Sequence, residues 1–269
     1  MTLAVVMECL FSVTFLAELS NRGIRPRAVV IAHPDSTRFV PVVPRHNLLQ
    51  THPRVDDWCH QHGIPLYRVY RWSSVPDVFL EQFSSVVIAC FPRLLPAQRF
   101  FRLGIDAWNV HPSALPNLRG PDPLFYTARG DAPAAITIHL LDETYDTGPV
   151  LGREYVAEPT VMNEHTYIET HARSAAALVQ NLRKNPPIAT PQQSDAPATW
   201  AGMPQTHDYT LDSLWTMARV RRFVALTDQR GHPYWVPESR QWVRHLSQLG
   251  DITIRCADGM LRGVRSSIP

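Results

Sequence analysis

Short apolar runs alternate with helix-length segments through the first 150 residues. Leu3 to Met7, Arg27 to Ala32, Leu66 to Val69, Val86 to Cys90 and Ala107 to Val110 have the length of buried strands. Between them, Phe11 to Leu19 sets Phe11, Phe15 and Leu19 on one helical face, and Arg54 to His62 and Pro96 to Leu103 also have helical spacing. Strand, helix, strand order implies parallel pairing, because a helix-length crossover returns the next strand in the same direction. The pattern predicts an α/β fold with a doubly wound, mostly parallel sheet, and such sheets bind ligands at the carboxyl ends of their strands. His33 to Pro53, with four prolines, reads as a long loop after the second strand.

Two more apolar runs, Ile136 to Leu141 and Val150 to Tyr155, precede Glu164 to Arg183, the longest unbroken helical pattern. The periodicity then stops, and Pro186 to Thr199, with four prolines, reads as a linker. Beyond it, Leu211 to Leu226 has helical spacing, and Pro233 to Val236, Ile252 to Cys256 and Leu261 to Val264 are short alternating pieces punctuated by Gly231, Gly250 and Gly259. The expected organisation is a large domain over 1–185, a proline-rich linker over 186–199 and a small β-rich C-terminal domain over 200–269, without an internal repeat.

Composition narrows the classes. Of 269 residues 45% are hydrophobic and 19% charged, enough for a packed core and without the like-charge block of a nucleic-acid tail. The net charge of +2 says little about partners, and Lys184 is the lone lysine among 26 basic residues. Cys9, Cys59, Cys90 and Cys256 are too widely spaced for a CxxC zinc site. The start, MTLAVVMECLFSV, has Glu8 in its apolar run and reads as a first strand, not a signal peptide. With no run of membrane-spanning length, a cytoplasmic protein with reduced thiols is expected.

The stretch Trp108-Asn109-Val110-His111-Pro112-Ser113-Ala114-Leu115-Pro116-Asn117-Leu118-Arg119-Gly120 holds the most chemistry. Asn109 and His111, two apart at the end of a predicted strand, point to one face. One offers an amide donor, the other an imidazole that titrates near neutrality. Pro112 and Pro116 turn the chain out of the strand. The spacing suits an oxyanion stabiliser beside a proton-handling group, and equally a turn cap beside a histidine satisfied by backbone. A second loop, Asp142-Glu143-Thr144-Tyr145-Asp146-Thr147-Gly148, sets two carboxylates four apart before a glycine: an acid–base site or a solvated turn, with too few oxygen ligands for calcium.

Together, Asn109-x-His111-Pro112-Ser113-x-Leu115-Pro116-x-x-Arg119-Gly120 and the later Asp146-Thr147-Gly148 resemble the signature of the folate-dependent formyltransferases, whose branches act on methionyl-tRNA, glycinamide ribonucleotide and amino sugars. The resemblance covers about residues 1–185, including Phe11 to Leu19 and His33-Pro34-Asp35, which are similar to the start of the tRNA-directed branch; Asp258-Gly259-Met260-Leu261 is faintly like its C-terminal barrel. It implies a Rossmann-like catalytic domain, 10-formyltetrahydrofolate as formyl donor, no metal, and Asn109, His111 and Asp146 as the catalytic trio. Asn109 and His111 would stabilise the oxyanion formed when a neutral amine attacks the formyl carbon, and Asp146 would orient and charge-balance His111. The donor would lie between Phe91, Pro92, Arg93, Leu94 and Leu95 on one side and Leu141, Asp142 and Thr144 on the other, with backbone groups facing a flat, hydrogen-bonding ring. Ser113, Arg119, Gly120 and His139 would fall on the substrate side.

Two positions depart from the pattern. Thr144 stands where relatives usually carry glycine, and Met7-Glu8 where the first strand usually ends in one; a side chain at 144 bends the loop differently or narrows the folate wall. Cys90 reads as a buried small hydrophobe.

The expected reaction is N-formylation of a primary amine. Residues 200–269 carry nine Arg against six acids, and Ser36 to Arg54 lacks the lysine-containing basic insertion common in tRNA-directed relatives. Since phosphate neutralisation carries most tRNA affinity, a small-molecule amine (an amino sugar nucleotide or an amino-acid-derived amine) is expected ahead of tRNA. A formyltetrahydrofolate hydrolase and a non-catalytic folate-binding relative are the remaining readings. Trp200, Trp215, Trp235 and Trp242 are either small-domain core or the wall of an acceptor pocket.

Overall fold

The structure is a computed structural model describing residues 1–32, 40–41, 54–188, 190–196 and 198–266. His33-Pro34-Asp35 and most of the loop from Ser36 to Pro53 lie outside the described residues. Eight strands form one sheet: β1 (Thr2–Val6), β2 (Ala28–Ala32), β3 (Val40–Pro41), β4 (Leu66–Val69), β5 (Ser85–Ala89), β6 (Asp106–His111), β7 (Ala135–Leu140) and β8 (Val150–Tyr155), in the order β3-β4-β2-β1-β5-β6-β7-β8. β4, β2, β1, β5 and β6 pair in parallel, and β3, β7 and β8 join antiparallel, so the sheet is mostly parallel as the pattern predicts. The strand order turns back at β1 and β5, the switch point beside which a doubly wound sheet opens a crevice.

β1, apolar from Leu3 to Val6, is buried on both faces because alternate residues feed two cores. Ala4 and Val6 pack with Phe15, Leu16 and Leu19 of α1 (Leu10–Asn21) and with Ala172, Ala175 and Val179 of the long helix 164–184. Leu3 and Val5 pack with Val86, Leu95 and Phe100 on the other side. Each large apolar side chain so buried contributes about 1.5–3 kcal/mol of transfer free energy. The remaining helices are α2 (Val55–Gln61), α3 (Asp77–Leu80), α4 (Ala97–Arg102), α5 (Pro123–Arg129), α6 (Glu164–Lys184) and α7 (Met217–Thr227).

After α6 the proline-rich segment runs beside the loop that follows β6: Arg119 N–H donates to Thr199 O (2.9 Å), Ala201 N–H to Arg119 O (2.6 Å) and Leu118 N–H to Thr199 Oγ1 (2.8 Å). A second, antiparallel sheet holds β9 (Tyr234–Val236), β10 (Gln241–Leu246), β11 (Ile252–Cys256) and β12 (Gly259–Arg265) in the order β11-β12-β10-β9. Its core of Phe223, Tyr234, Val243 and Ile254 also takes in Phe125 and Tyr126 of α5.

The helical spacing from Leu211 is not used until Met217. Leu211 N–H donates to Trp235 O, tying that stretch to β9, and Thr216 caps α7 by accepting Arg219 N–H. Among the described residues no helix is long and apolar enough to cross a membrane.

Candidate active site

β6 ends at His111, where Pro112 removes the next ladder donor. Asn109 and His111 share one face of β6, and antiparallel pairing sets Asn109 opposite His139 of β7. The β7–β8 loop then carries Asp146 back over the ends of both strands. Asp146 Oδ2 accepts Gly120 N–H (2.9 Å), and Oδ1 accepts from Asn109 Nδ2 (3.1 Å) and lies 3.4 Å from His111 Nδ1 and 3.6 Å from His139 Nε2.

Cys90 (φ 54°), Leu118 (φ 60°) and Asp146 (φ 57°) hold left-handed backbone around this point. For residues with a Cβ this costs about 1–3 kcal/mol each, a strain that collects where a fold holds side chains for a task. A Cβ at Gly148 would lie 1.9 Å from Leu140 O, so the turn that delivers Asp146 closes only over glycine. Thr144 is not among the left-handed residues; its hydroxyl bonds to that of Thr147, and the loop places its unusual backbone at Asp146 instead.

The carbonyl partners fix the imidazole tautomers. His111 Nε2 donates to Leu118 O (2.8 Å) and His139 Nδ1 to Leu140 O (2.8 Å). His139 Nε2 is therefore a lone pair, which accepts the other Asn109 amide hydrogen (3.0 Å). In neutral His111 the Nδ1 lone pair faces the Asp146 carboxylate. Burial pushes the His111 pKa below the ordinary imidazole value, opposed by Asp146 and by the Leu118 hydrogen bond. Burial also raises Asp146, but the histidine charges, His139 and the Gly120 N–H outweigh it and hold the carboxyl at about 2. At neutral pH the site holds an anionic Asp146 beside a neutral imidazole with its lone pair turned toward it. It is built to take a proton on Nδ1.

Other sequence-predicted residues are placed differently. Ser113 is buried and donates to Asn117 O (2.6 Å). Arg119 turns into the proline-rich segment, pairing with Asp195 (2.9 Å). His139 is buried against Asn109. Leu95 packs in the core, Arg93 lies 4.2 Å over the Tyr70 ring, and Phe91, Arg93 and Leu94 line a cavity of about 400 Å3 with Tyr70, Arg71, Trp72 and Ser73. Leu141 packs on the same core, while the Asp142 carboxylate accepts from Glu143 N–H and Thr147 Oγ1. A larger cavity, about 920 Å3, lies away from this site between α5, β8 and α7. Trp215 packs in the C-terminal core, Trp235 and Trp242 lie 5.0 Å apart, and Trp200 is 58% exposed with its ring 3.0 Å from where a Gly120 Cβ would be. Among the described residues no three His, Cys, Asp or Glu side chains cluster as a metal site would need.

One residue had no signal in the sequence. Gln193 Nε2 donates to Asp146 O (3.0 Å) and Gly148 O (2.8 Å), while its Oε1 accepts from Arg119 Nε (3.3 Å) and Nη2 (3.2 Å). A glutamine inside a proline-rich stretch bolts the two motif loops together.

Residues 77–182 match the family described as formyl transferase. That stretch belongs to the formyltransferase family. The chain is 33% identical over 132 residues to the mitochondrial methionyl-tRNA formyltransferase of Bos taurus, covering 48% of this chain and 33% of that protein. It is 28% identical over 189 residues to the methionyl-tRNA formyltransferase of Thermosynechococcus vestitus, covering 68% and 55%. The chain thus spans a third to a little over half of the length of these relatives. In structure it is similar to WlaRD, a sugar 3N-formyl transferase crystallised with dTDP and 5-N-formyl-THF (TM-score 0.63, 10% identity, 100% and 99% covered). It is also similar to the Clostridium thermocellum methionyl-tRNA formyltransferase (TM-score 0.54, 9% identity, 99% and 100% covered). At these identities the structural likeness establishes the fold alone.

Proposed function

We propose that this protein is an enzyme that transfers a formyl group from 10-formyltetrahydrofolate to the primary amine of a small molecule. The observation that carries the reading is the convergence of Asn109, His111 and Asp146 on one point at the carboxyl ends of the strands. The donor, when bound, supplies an activated formyl carbon. The cavity beside Phe91 fits a flat ring: it is walled by Tyr70, Trp72 and Phe91, and the buried Trp72 Nε1–H has no partner.

The chain's own groups then handle the proton and the developing charge. His111 Nδ1 accepts the proton of the attacking amine and becomes a donor to Asp146 Oδ1, replacing lone-pair repulsion by an ion pair. That carboxylate oxygen is also the one that Asn109 Nδ2 serves in the resting site. Once His111 satisfies it, an Asn109 amide hydrogen is released for the oxyanion, so proton uptake and oxyanion stabilisation are coupled; the bond between the formyl carbon and the donor nitrogen would then break, with the His111 proton passing to that departing nitrogen. Gly120 N–H, the His139 lone pair and the Leu118 carbonyl hold the three side chains throughout. Trp200, exposed beside Gly120, offers a flat apolar face for a small acceptor.

A second reading, a charged tRNA as acceptor, is favoured by the C-terminal sheet. Arg244, Arg255 and Arg262 are exposed on its strands and make no ion pair among the described residues. The test offers 10-formyltetrahydrofolate with a panel of amino sugar nucleotides and free amines, and in parallel with charged initiator tRNA. Formylation of a small amine with a shallow salt dependence is expected. Efficient formylation of the tRNA, with log rate falling by roughly 0.7–0.9 per contacted phosphate per log unit of salt, promotes the second reading. Release of formate without any amine identifies a hydrolase, and no donor turnover under any condition rejects the enzyme.

A further inference from the structure

The exits of the two central strands each carry a cysteine. Cys9 is the N-cap of α1 just after β1, and Cys90 follows β5 directly. The register Val6↔Ala89 brings the two exits side by side. Both thiols are partly buried against the same core, and Cys9 Sγ lies 3.2 Å from Ser12 Oγ. By contrast Cys59 is buried in the first core, and Cys256 belongs to the C-terminal sheet.

We propose that Cys9 and Cys90 form a peroxide-sensitive dithiol, Cys9 as nucleophile and Cys90 as resolving partner. The surroundings divide these roles. The neighbouring Cys90, then Ser12 Oγ and the backbone N–H groups of Ser12 and Phe11 at the start of α1, outweigh burial and lower the Cys9 thiol from its ordinary value. Cys90 is pushed well above the ordinary thiol range by the neighbouring Cys9, by burial and by the charge of Asp122. The thiolate is the nucleophile, so Cys9 reacts first.

Its sulfur attacks one oxygen of a hydroperoxide; the O–O bond breaks, a Cys9 sulfenic acid forms, and the other oxygen leaves with the electron pair and takes up a proton. The sulfur is oxidised by two electrons and the peroxide reduced by two. The Cys90 sulfur then attacks the Cys9 sulfur, the S–O bond breaks, and hydroxide leaves with the Cys90 proton as water, leaving a disulfide. The bond ties the ends of β1 and β5 together directly before Phe91–Leu95, on the proposed donor side of the cleft. This inference does not depend on formyl transfer.

The test reads mass, not activity. The intact protein is treated with a small excess of hydrogen peroxide, capped with N-ethylmaleimide, digested and analysed by mass spectrometry. The expected result is a peptide pair linked through Cys9 and Cys90, with Cys59 unchanged from the untreated sample. In the Cys90→Ser variant, Cys9 should stop at the sulfenic acid and take a dimedone tag. Maleimide on both Cys9 and Cys90 after peroxide, or oxidation of Cys59 ahead of Cys9, overturns the assignment.

Discussion

Asp146→Asn is the sharpest probe of the proton-accepting site. Asparagine tolerates left-handed backbone, so the residue's φ of 57° imposes no new strain, and its oxygen keeps the Gly120 N–H. Its Nδ2 then turns to His111 and donates to the Nδ1 lone pair, occupying the position where the proton must land. At the 3.4 Å His111–Asp146 separation, losing the charge removes about 5 kcal/mol of attraction for the imidazolium at an effective dielectric of about 20. That is an upper bound, because the amide oxygen retains part of the field. A loss of roughly 100- to 1,000-fold in kcat is expected, with KM for both substrates changed little. The wild-type rate should hold at neutral pH and fall as the pH drops through a His111 pKa below the ordinary imidazole value, since the protonated ring cannot accept; in the variant that acid limb moves lower still. The assay is initial-rate formylation from pH 4 to 8, with urea unfolding to check the fold. A folded Asp146→Asn variant within roughly fivefold of wild type would refute the reasoning, because no group so placed in general acid–base chemistry is that dispensable.

Gln193→Ala deletes two donors to the loop carbonyls and an acceptor for Arg119, so stability should fall by about 2–4 kcal/mol and kcat more than KM; an unchanged urea midpoint would mean that the segment is not anchored there. His171, fully buried with Nε2 unpartnered, is held by desolvation at about 4 against an ordinary 6.5. Between those values the unfolded chain binds a proton that the native state does not, so stability is complete above about pH 6.5 and falls by about 3 kcal/mol toward pH 4. His171→Leu should flatten that acid loss in thermal melts, and an equally steep loss would assign it elsewhere. For the proposed boundary after residue 185, limited proteolysis should cut near the exposed Ile188, while the hydrogen-bonded 193–201 stretch resists; cutting first within 193–201 would contradict its docking.

Much of the fold was legible because each strand exit and helix face is a local pattern. Leu66 to Val69 and Val150 to Tyr155 are strands at the predicted bounds, and β1, β2, β5 and β6 lie within a residue or two of theirs. Local pattern failed where long-range bonds compete: Leu211 to Thr216 has helical spacing but spends its first N–H on β9. Gln241 to Leu246 goes unnoticed as a strand because its inner and outer positions do not alternate cleanly, and a register shift between Val243 and His245 breaks the ladder.

The sequence by itself determined the alternating order, hence the mostly parallel sheet, and the two motifs whose residue types suit proton transfer. Only the tertiary structure decided what those types do. It set Asp146 against His111 at 3.4 Å by closing a turn over Gly148, fixed the imidazole tautomers through the Leu118 and Leu140 carbonyls, and turned Ser113 and Arg119 inward. It also recruited Gln193 and brought Cys9 beside Cys90 across 81 residues of chain. The reason is range: periodicity reports which way a side chain faces on its own element, whereas a hydrogen bond of 3 Å depends on how distant elements are packed.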